Sequence, residues 1–272
     1  MTTPDFLDLG GRRIEYRFAG RAGSRSTEIV MLHEGLGSVS MWRDFPERLA
    51  EATGCRVLAY SRLGHGRSSP AGKPRKPDYH LEEARLWLPA LLERLGLRRP
   101  LLFGHSDGAT IALVYAAEFP DSVSGVIAIA PHVKVEDVTI DGLARAKTAY
   151  EATNLRDRLG VHHDDVDEVF WGWNRTWLNP EFRGWNIEHL LPAILAPVLA
   201  IQGAGDEYAT LEQIESIRRA VPGTELLVLE QCGHSPHREQ PAVVLEASRR
   251  FVDRLEQRSS AGRDFGYRPR TR

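Results

Sequence analysis

The chain is poor in cysteine, in long apolar runs and in charge of one sign, and each shortage removes a class of protein. Only Cys55 and Cys232 occur among its 272 residues. They lie far apart in sequence, so a disulfide framework is excluded, reduced thiols in the cytoplasm are expected, and Cys232 reads as a small packing residue. Nowhere do eighteen consecutive apolar residues occur, and residues 1–11 show no basic segment followed by an apolar stretch. A soluble protein with no membrane partner is expected from that pattern. The formal net charge is -2 with 26% charged residues, which leaves no electrostatic footprint for a nucleic-acid partner. No internal repeat is found.

What is present is enough apolar sequence for a full core, and a regular alternation of strand-like and helix-like runs. Strands are expected over 6–9, 13–18, 29–32, 57–60, 101–103, 126–129, 198–201 and 226–229, and helices over 41–53, 81–95, 108–118, 211–220 and 242–255. That rhythm predicts an α/β protein, doubly wound around a mostly parallel eight-stranded sheet. It breaks over 132–192, a polar and aromatic-rich segment with helical stretches near 143–157 and 164–177. This segment holds four of the six tryptophans, Trp171, Trp173, Trp177 and Trp185. It reads as a helical cap inserted into a core formed by 1–131 and 193–256, its aromatics packing on the core or lining a pocket. Residues 257–272, with five arginines among Ser, Gly and Pro, read as a mobile basic tail.

The chemistry-bearing motif is Gly104-His105-Ser106-Asp107-Gly108, between the apolar run ending at Phe103 and the helical run from Thr110. By itself the pentapeptide also describes a tight strand-to-helix turn with a capping Ser or Asp. A serine nucleophile needs a base and a carboxylate to orient that base, and both stand downstream at strand ends: Asp206 after 197–201, and His234 after 226–229. The order Ser106, Asp206, His234 is that of one serine-hydrolase fold and not of the others. Glu207, beside Asp206, is the competing acid, with the strand-end position favouring Asp206. His162 and His163, followed by Asp164, Asp165 and Asp167, match no familiar ligand set and read as a solvated helix start, so no metal and no cofactor are expected. His33, His105 and His237 read as structural.

On these residues the chain resembles the α/β-hydrolase superfamily, specifically its small single-domain members with a helical cap, from about Ile29 to Leu255. The resemblance also rests on Leu32-His33-Glu34-Gly35-Leu36-Gly37-Ser38 with Trp42 after it, on Arg62-Leu63-Gly64-His65-Gly66-Arg67-Ser68, and on Cys232-Gly233-His234 with Pro236, Glu239 and Pro241. It implies an oxyanion hole from the backbone N–H groups of Asp107 and Gly35, with Leu36 as the neighbour if the register differs by one. Two departures stand out. Ser61 replaces a usual Asp, which alters a structural turn. Glu34 replaces a usual glycine, and its carboxylate would either face away into hydrogen bonds or add a titrating group to the pocket.

The resemblance implies hydrolysis of a small or medium carboxylic ester or lactone through an acyl-enzyme, with Glu34, Leu36, Trp171, Trp173 and Trp177 as candidate substrate contacts. A carbon–carbon bond hydrolase of aromatic ring-cleavage ketoacids is the alternative enzyme, and a small-molecule receptor of the same fold is the alternative of another class. A dehalogenase or epoxide hydrolase is disfavoured because those relatives need Asp where Ser106 stands. The partner expected is a small-molecule substrate, with the protein a monomer or homodimer.

Overall fold

A computed structural model describes residues 4–23, 25–72 and 75–264 of the protein. Its strands are β1 (Asp5–Leu9), β2 (Arg12–Ala19), β3 (Glu28–Leu32), β4 (Arg56–Tyr60), β5 (Leu101–His105), β6 (Gly125–Ile129), β7 (Val198–Gly203) and β8 (Glu225–Leu229). They form one eight-stranded sheet in the order β1-β2-β4-β3-β5-β6-β7-β8. β1 and β2 run antiparallel to their neighbours and the rest are parallel.

The helices are α1 (Phe45–Thr53), α2 (Tyr79–Glu82), α3 (Leu88–Leu95), α4 (Asp107–Glu118), α5 (Asp137–Ala152), α6 (Leu155–Gly160), α7 (Val166–Trp177), α8 (Glu212–Ala220), α9 (Pro236–Glu239) and α10 (Pro241–Asp264). A π-helical turn, Glu83–Trp87, joins α2 to α3.

Because side chains alternate along a strand, each central strand feeds two cores. Val30, Leu58, Leu102 and Val126 pack with α3 and α4 on one face. Ile29, Val57, Phe103 and Ile127 pack with Phe45, Leu49, Phe251 and Val252 of α1 and α10 on the other. α4 is buried over every residue from Asp107 to Ala117, as suits a helix that is apolar almost all round.

The insertion between β6 and β7 carries α5, α6 and α7. Its first helix starts at Asp137, ahead of the expected stretch, because Glu136 and Thr139 form a capping box. The helical stretch expected to run to 157 breaks at 153–154, giving α5 and α6. α10 also outruns its expected end at Leu255. Neither Pro nor Gly interrupts 242–261, and Glu246–Arg250 and Arg249–Asp253 are paired one turn apart. Residues 257–264 of the expected tail are therefore helical, and 265–272 lie outside the described residues.

Candidate active site

The turn from β5 into α4 sets the geometry. Ser106 has φ 52° and ψ -118°, a left-handed value that a non-glycine residue adopts only where its surroundings enforce it. They do so here by close approach. A Cβ on Gly104 would run into Ala109 and the Gly108 carbonyl, and one on Gly108 into the Leu32 carbonyl of β3. The Ser106 N–H donates to the Ile129 carbonyl at 2.9 Å, fixing the turn to β6.

Ser106 Oγ stands 3.0 Å from His234 Nε2, and His234 Nδ1 lies 2.8 and 2.9 Å from the two Asp206 carboxylate oxygens. Asp206 is held in turn by the Tyr208 N–H at 2.9 Å and by Gln202 Nε2 at 3.3 Å. Glu207 does not reach the imidazole; its Oε2 accepts the His234 backbone N–H at 3.1 Å. Burial disfavours a charged His234, but the Asp206 carboxylate and its hydrogen bond outweigh that and hold the imidazole above its ordinary value. Asp206 is correspondingly held low: burial opposes this, and the attraction and hydrogen bond of His234 overcome it. A hydroxyl, an imidazole and a carboxylate in this chain can pass a proton from oxygen to nitrogen while the carboxylate fixes the tautomer.

The N–H of Asp107 belongs to the first turn of α4, where helix amides lack intrahelical partners. Gly35 sits in the loop after β3, its carbonyl 3.1 Å from His65 Nε2. That loop is braced from several sides. His33 Nε2 accepts the Arg62 N–H at 3.0 Å and Arg62 Nη2 donates to the Glu34 carbonyl at 2.9 Å. Ser61 Oγ accepts the Val39 N–H and donates to Glu15, so the residue replacing the usual Asp still ties the turn together. His163 accepts the Gly66 N–H through Nδ1 and donates from Nε2 to the Leu36 carbonyl, and His162 Nδ1 meets Ser40 Oγ at 2.8 Å. Both histidines thus connect the insertion to this loop. Burial pushes His163 down to about 4, consistent with a neutral ring that donates once and accepts once. Among the described residues no group of three or more His, Cys, Asp or Glu could hold a metal ion.

A cavity of about 710 Å³ opens over Ser106. Glu34, Leu36, Trp173 and Trp177 line it, together with His132 and Tyr208, which the sequence did not single out. Trp173 lies so close to Gly35 that a Cβ there would meet its indole. Trp171 does not line this cavity. It lies with Arg175 along a separate depression, because residues two apart on a helix face opposite sides whereas 173 and 177 share one. Trp185 stacks on Phe182 at 5.3 Å, away from Ser106.

Glu34 combines its two expected roles. It lines the cavity, yet its oxygens lie 3.3 Å from Arg238 and 3.6 Å from His105 Nδ1. Burial alone would raise its carboxyl, but the neighbouring His105, followed by Arg238, brings it well below the ordinary range. Asp107 carries a second buried network. Its carboxylate accepts from the Tyr79 hydroxyl at 2.7 Å and lies 3.5 Å from Arg62, and Tyr79 in turn accepts from Trp177 Nε1 at 2.8 Å.

The sheet order, the strained serine turn and the Ser–His–Asp contacts define a protein of the α/β-hydrolase class. Residues 29–247 match the Alpha/beta hydrolase family, to which the chain belongs as an enzyme of hydrolase type. Among curated relatives, it is 25% identical to a proline iminopeptidase of Lactobacillus crispatus, covering 89% of this chain and 95% of that one. It is 26% identical to an sn-1-specific diacylglycerol lipase of Mus musculus, covering 82% and 80%. Among solved structures, the enol-lactonase of Burkholderia xenovorans superposes with a TM-score of 0.73 at 20% identity over 92% of this chain and 100% of that chain, a likeness of fold. No helix among the described residues is long and apolar enough to cross a membrane.

Proposed function

We propose that the protein is a serine hydrolase that cleaves a small or medium carboxylic ester or lactone through an acyl-enzyme. The observation that carries this reading is the unbroken contact from Asp206 through His234 to Ser106 at a strained strand-to-helix turn. Ser106 Oγ attacks the carbonyl as His234 Nε2 takes its proton. The tetrahedral oxyanion is stabilised by the N–H groups of Asp107 and Gly35, and His234 returns the proton to the departing alkoxide. Water then repeats the sequence on the acyl-Ser106 ester and releases the acid. Residues 132–192 act as the cap, with Trp173 and Trp177 over the reacting carbonyl. The lipase and enol-lactonase names among the relatives support an ester or lactone, whereas the iminopeptidase name points to a peptide bond.

Intact-protein mass after exposure to a fluorophosphonate, with Ser106→Ala alongside, tests the nucleophile. A single adduct that the variant lacks is expected, and an adduct retained by the variant overturns the assignment. A series of p-nitrophenyl esters of rising acyl length, run beside a prolyl p-nitroanilide, tests the substrate class. Faster turnover of the anilide would move the function to peptide hydrolysis.

A further inference from the structure

His132 follows the end of β6, where the sheet gives way to the insertion. Its backbone is pinned by Thr110 of α4, whose Oγ1 donates to the His132 carbonyl at 2.7 Å and faces its N–H at 3.3 Å. The residue is only 3% exposed, yet its side chain makes no hydrogen bond among the described residues and its Nδ1 is buried without a partner. Its ring stands 5.7 Å from that of His234 and 5.0 Å from Trp177. The buried His80 and His237 also lack hydrogen-bond partners, but unlike them His132 lines the cavity, where a bound group can supply one.

The tautomer follows from the same facts. A buried acceptor without a partner is tolerated better than a buried N–H without one. Nδ1 is therefore the bare nitrogen and Nε2 carries the hydrogen; Nε2 is not among the fully buried atoms without a partner, and His132 lines the cavity. Burial first, then the neighbouring His234, drives the imidazole down to about 3, so the ring stays neutral. Asp206, Asp107 and His80 are the other charged or titratable groups acting on it.

Tyr208, half-buried, supplies a second donor and lines the same cavity. Its ring lies 4.8 Å from that of His234, and its backbone is committed on both sides, N–H to Asp206 and carbonyl to Thr139 Oγ1. Its hydroxyl makes no hydrogen bond among the described residues, and the residue lines the cavity. Leu143, Trp173 and Trp177 line the cavity with these two donors, together with Thr139 and the Glu207 carboxylate. Two neutral donors suit an uncharged acceptor oxygen, since an anionic group would meet the Glu207 carboxylate that acts on Tyr208.

We propose that His132 Nε2–H and the Tyr208 hydroxyl form a polar subsite that binds a second, neutral oxygen of the substrate, a keto or hydroxyl group close to the scissile carbonyl. The subsite rests on the serine-hydrolase reading and narrows its substrate class from plain alkyl esters to oxygen-substituted ones. A site built to hydrogen-bond one substrate group discriminates strongly against the analogue that lacks it.

The test uses two matched ester pairs followed by pH-stat: methyl butanoate against methyl 3-hydroxybutanoate, and butyl acetate against 3-hydroxybutyl acetate. In at least one pair kcat/KM is expected to favour the oxygenated ester by about tenfold or more, the pair showing whether the acyl or the alcohol portion reaches the subsite. Tyr208→Phe, which removes one oxygen and keeps the ring, and His132→Phe should each bring that ratio towards one. The ratio should also stay flat between about pH 5 and 8. No preference in either pair, a preference that both variants retain, or a ratio that steps with protonation of a histidine overturns the subsite. Alkyl-ester turnover with a fluorophosphonate adduct on Ser106 but no such preference would remove the subsite and leave the serine hydrolase standing. Absence of both turnover and adduct would overturn the two together.

Discussion

Below the cavity, Ser106, Asp206 and His234 stand on turns fixed by the sheet, whereas above it Trp173 and Trp177 hang from a helix secured by side chains. The lower wall is built from backbone: Ser106 is tied to the Ile129 carbonyl and Gly205 to that of Cys232. The Gly104 and Gly108 contacts leave no room for adjustment. The upper wall is built from single hydrogen bonds between side chains and neighbours, such as Asn174 to the Leu143 carbonyl and Trp177 to Tyr79, with Tyr150 stacked on Phe170 at 3.7 Å. A rigid floor suits proton transfer, where misplacement of an ångström is costly. A roof of side chains can vary in lining without disturbing that floor.

This contrast can be broken most severely from below. Ser106→Ala should reduce ester turnover on the order of 10⁴-fold or more while the melting transition holds; comparable turnover in the variant would dissolve the distinction between floor and roof. Asp206→Asn should cost about 10⁴-fold in kcat, and Glu207→Gln less than about tenfold, the scale of one hydrogen bond to backbone. Steady-state kinetics of the two variants checks the ranking.

From above, the expected loss is stability. Trp177→Ala empties a buried site and strips the Tyr79 hydroxyl of its donor, at about 3–5 kcal/mol, visible as a lowered urea midpoint. An unchanged midpoint would mean that the roof does not need its aromatic anchor.

The smallest effect sharpens the comparison by pH. Because His234 must be neutral to accept a proton and is held above its ordinary value, kcat/KM should fall on acidification through a pH higher than an unperturbed histidine would give. Glu34 is one of the carboxylates that raise it. Glu34→Gln should therefore move the acid limb to lower pH. A limb that does not move would uncouple the loop carboxylate from the base.

Most of the floor was legible in the sequence for a physical reason. Parallel strands buried on both faces are short unbroken apolar runs, and Ser106, Asp206 and His234 follow such runs ending at 103, 201 and 229. The roof was harder to read. The tryptophan-rich run groups Trp171 with Trp173 and Trp177, although helical spacing sets it on the other side. The Arg62–Asp107–Tyr79–Trp177 network joins four separate segments, so no local pattern announces it. His132 carries no motif at all. Its interest comes from what folding denies it, a partner for its ring, and that is visible only once the chain around it is in place.

Tyr79 anchors the carboxyl end of α7. Raising that end would strip the Trp177 donor from Tyr79, which itself donates to a buried carboxylate directly after the nucleophile. The other end of α7 is tied as well, since the buried His163 just ahead of it holds the Gly66 N–H and the Leu36 carbonyl. Both ends of α7 are thus held by buried hydrogen bonds, so displacing Trp173 and Trp177 would break contacts that reach the residue after Ser106.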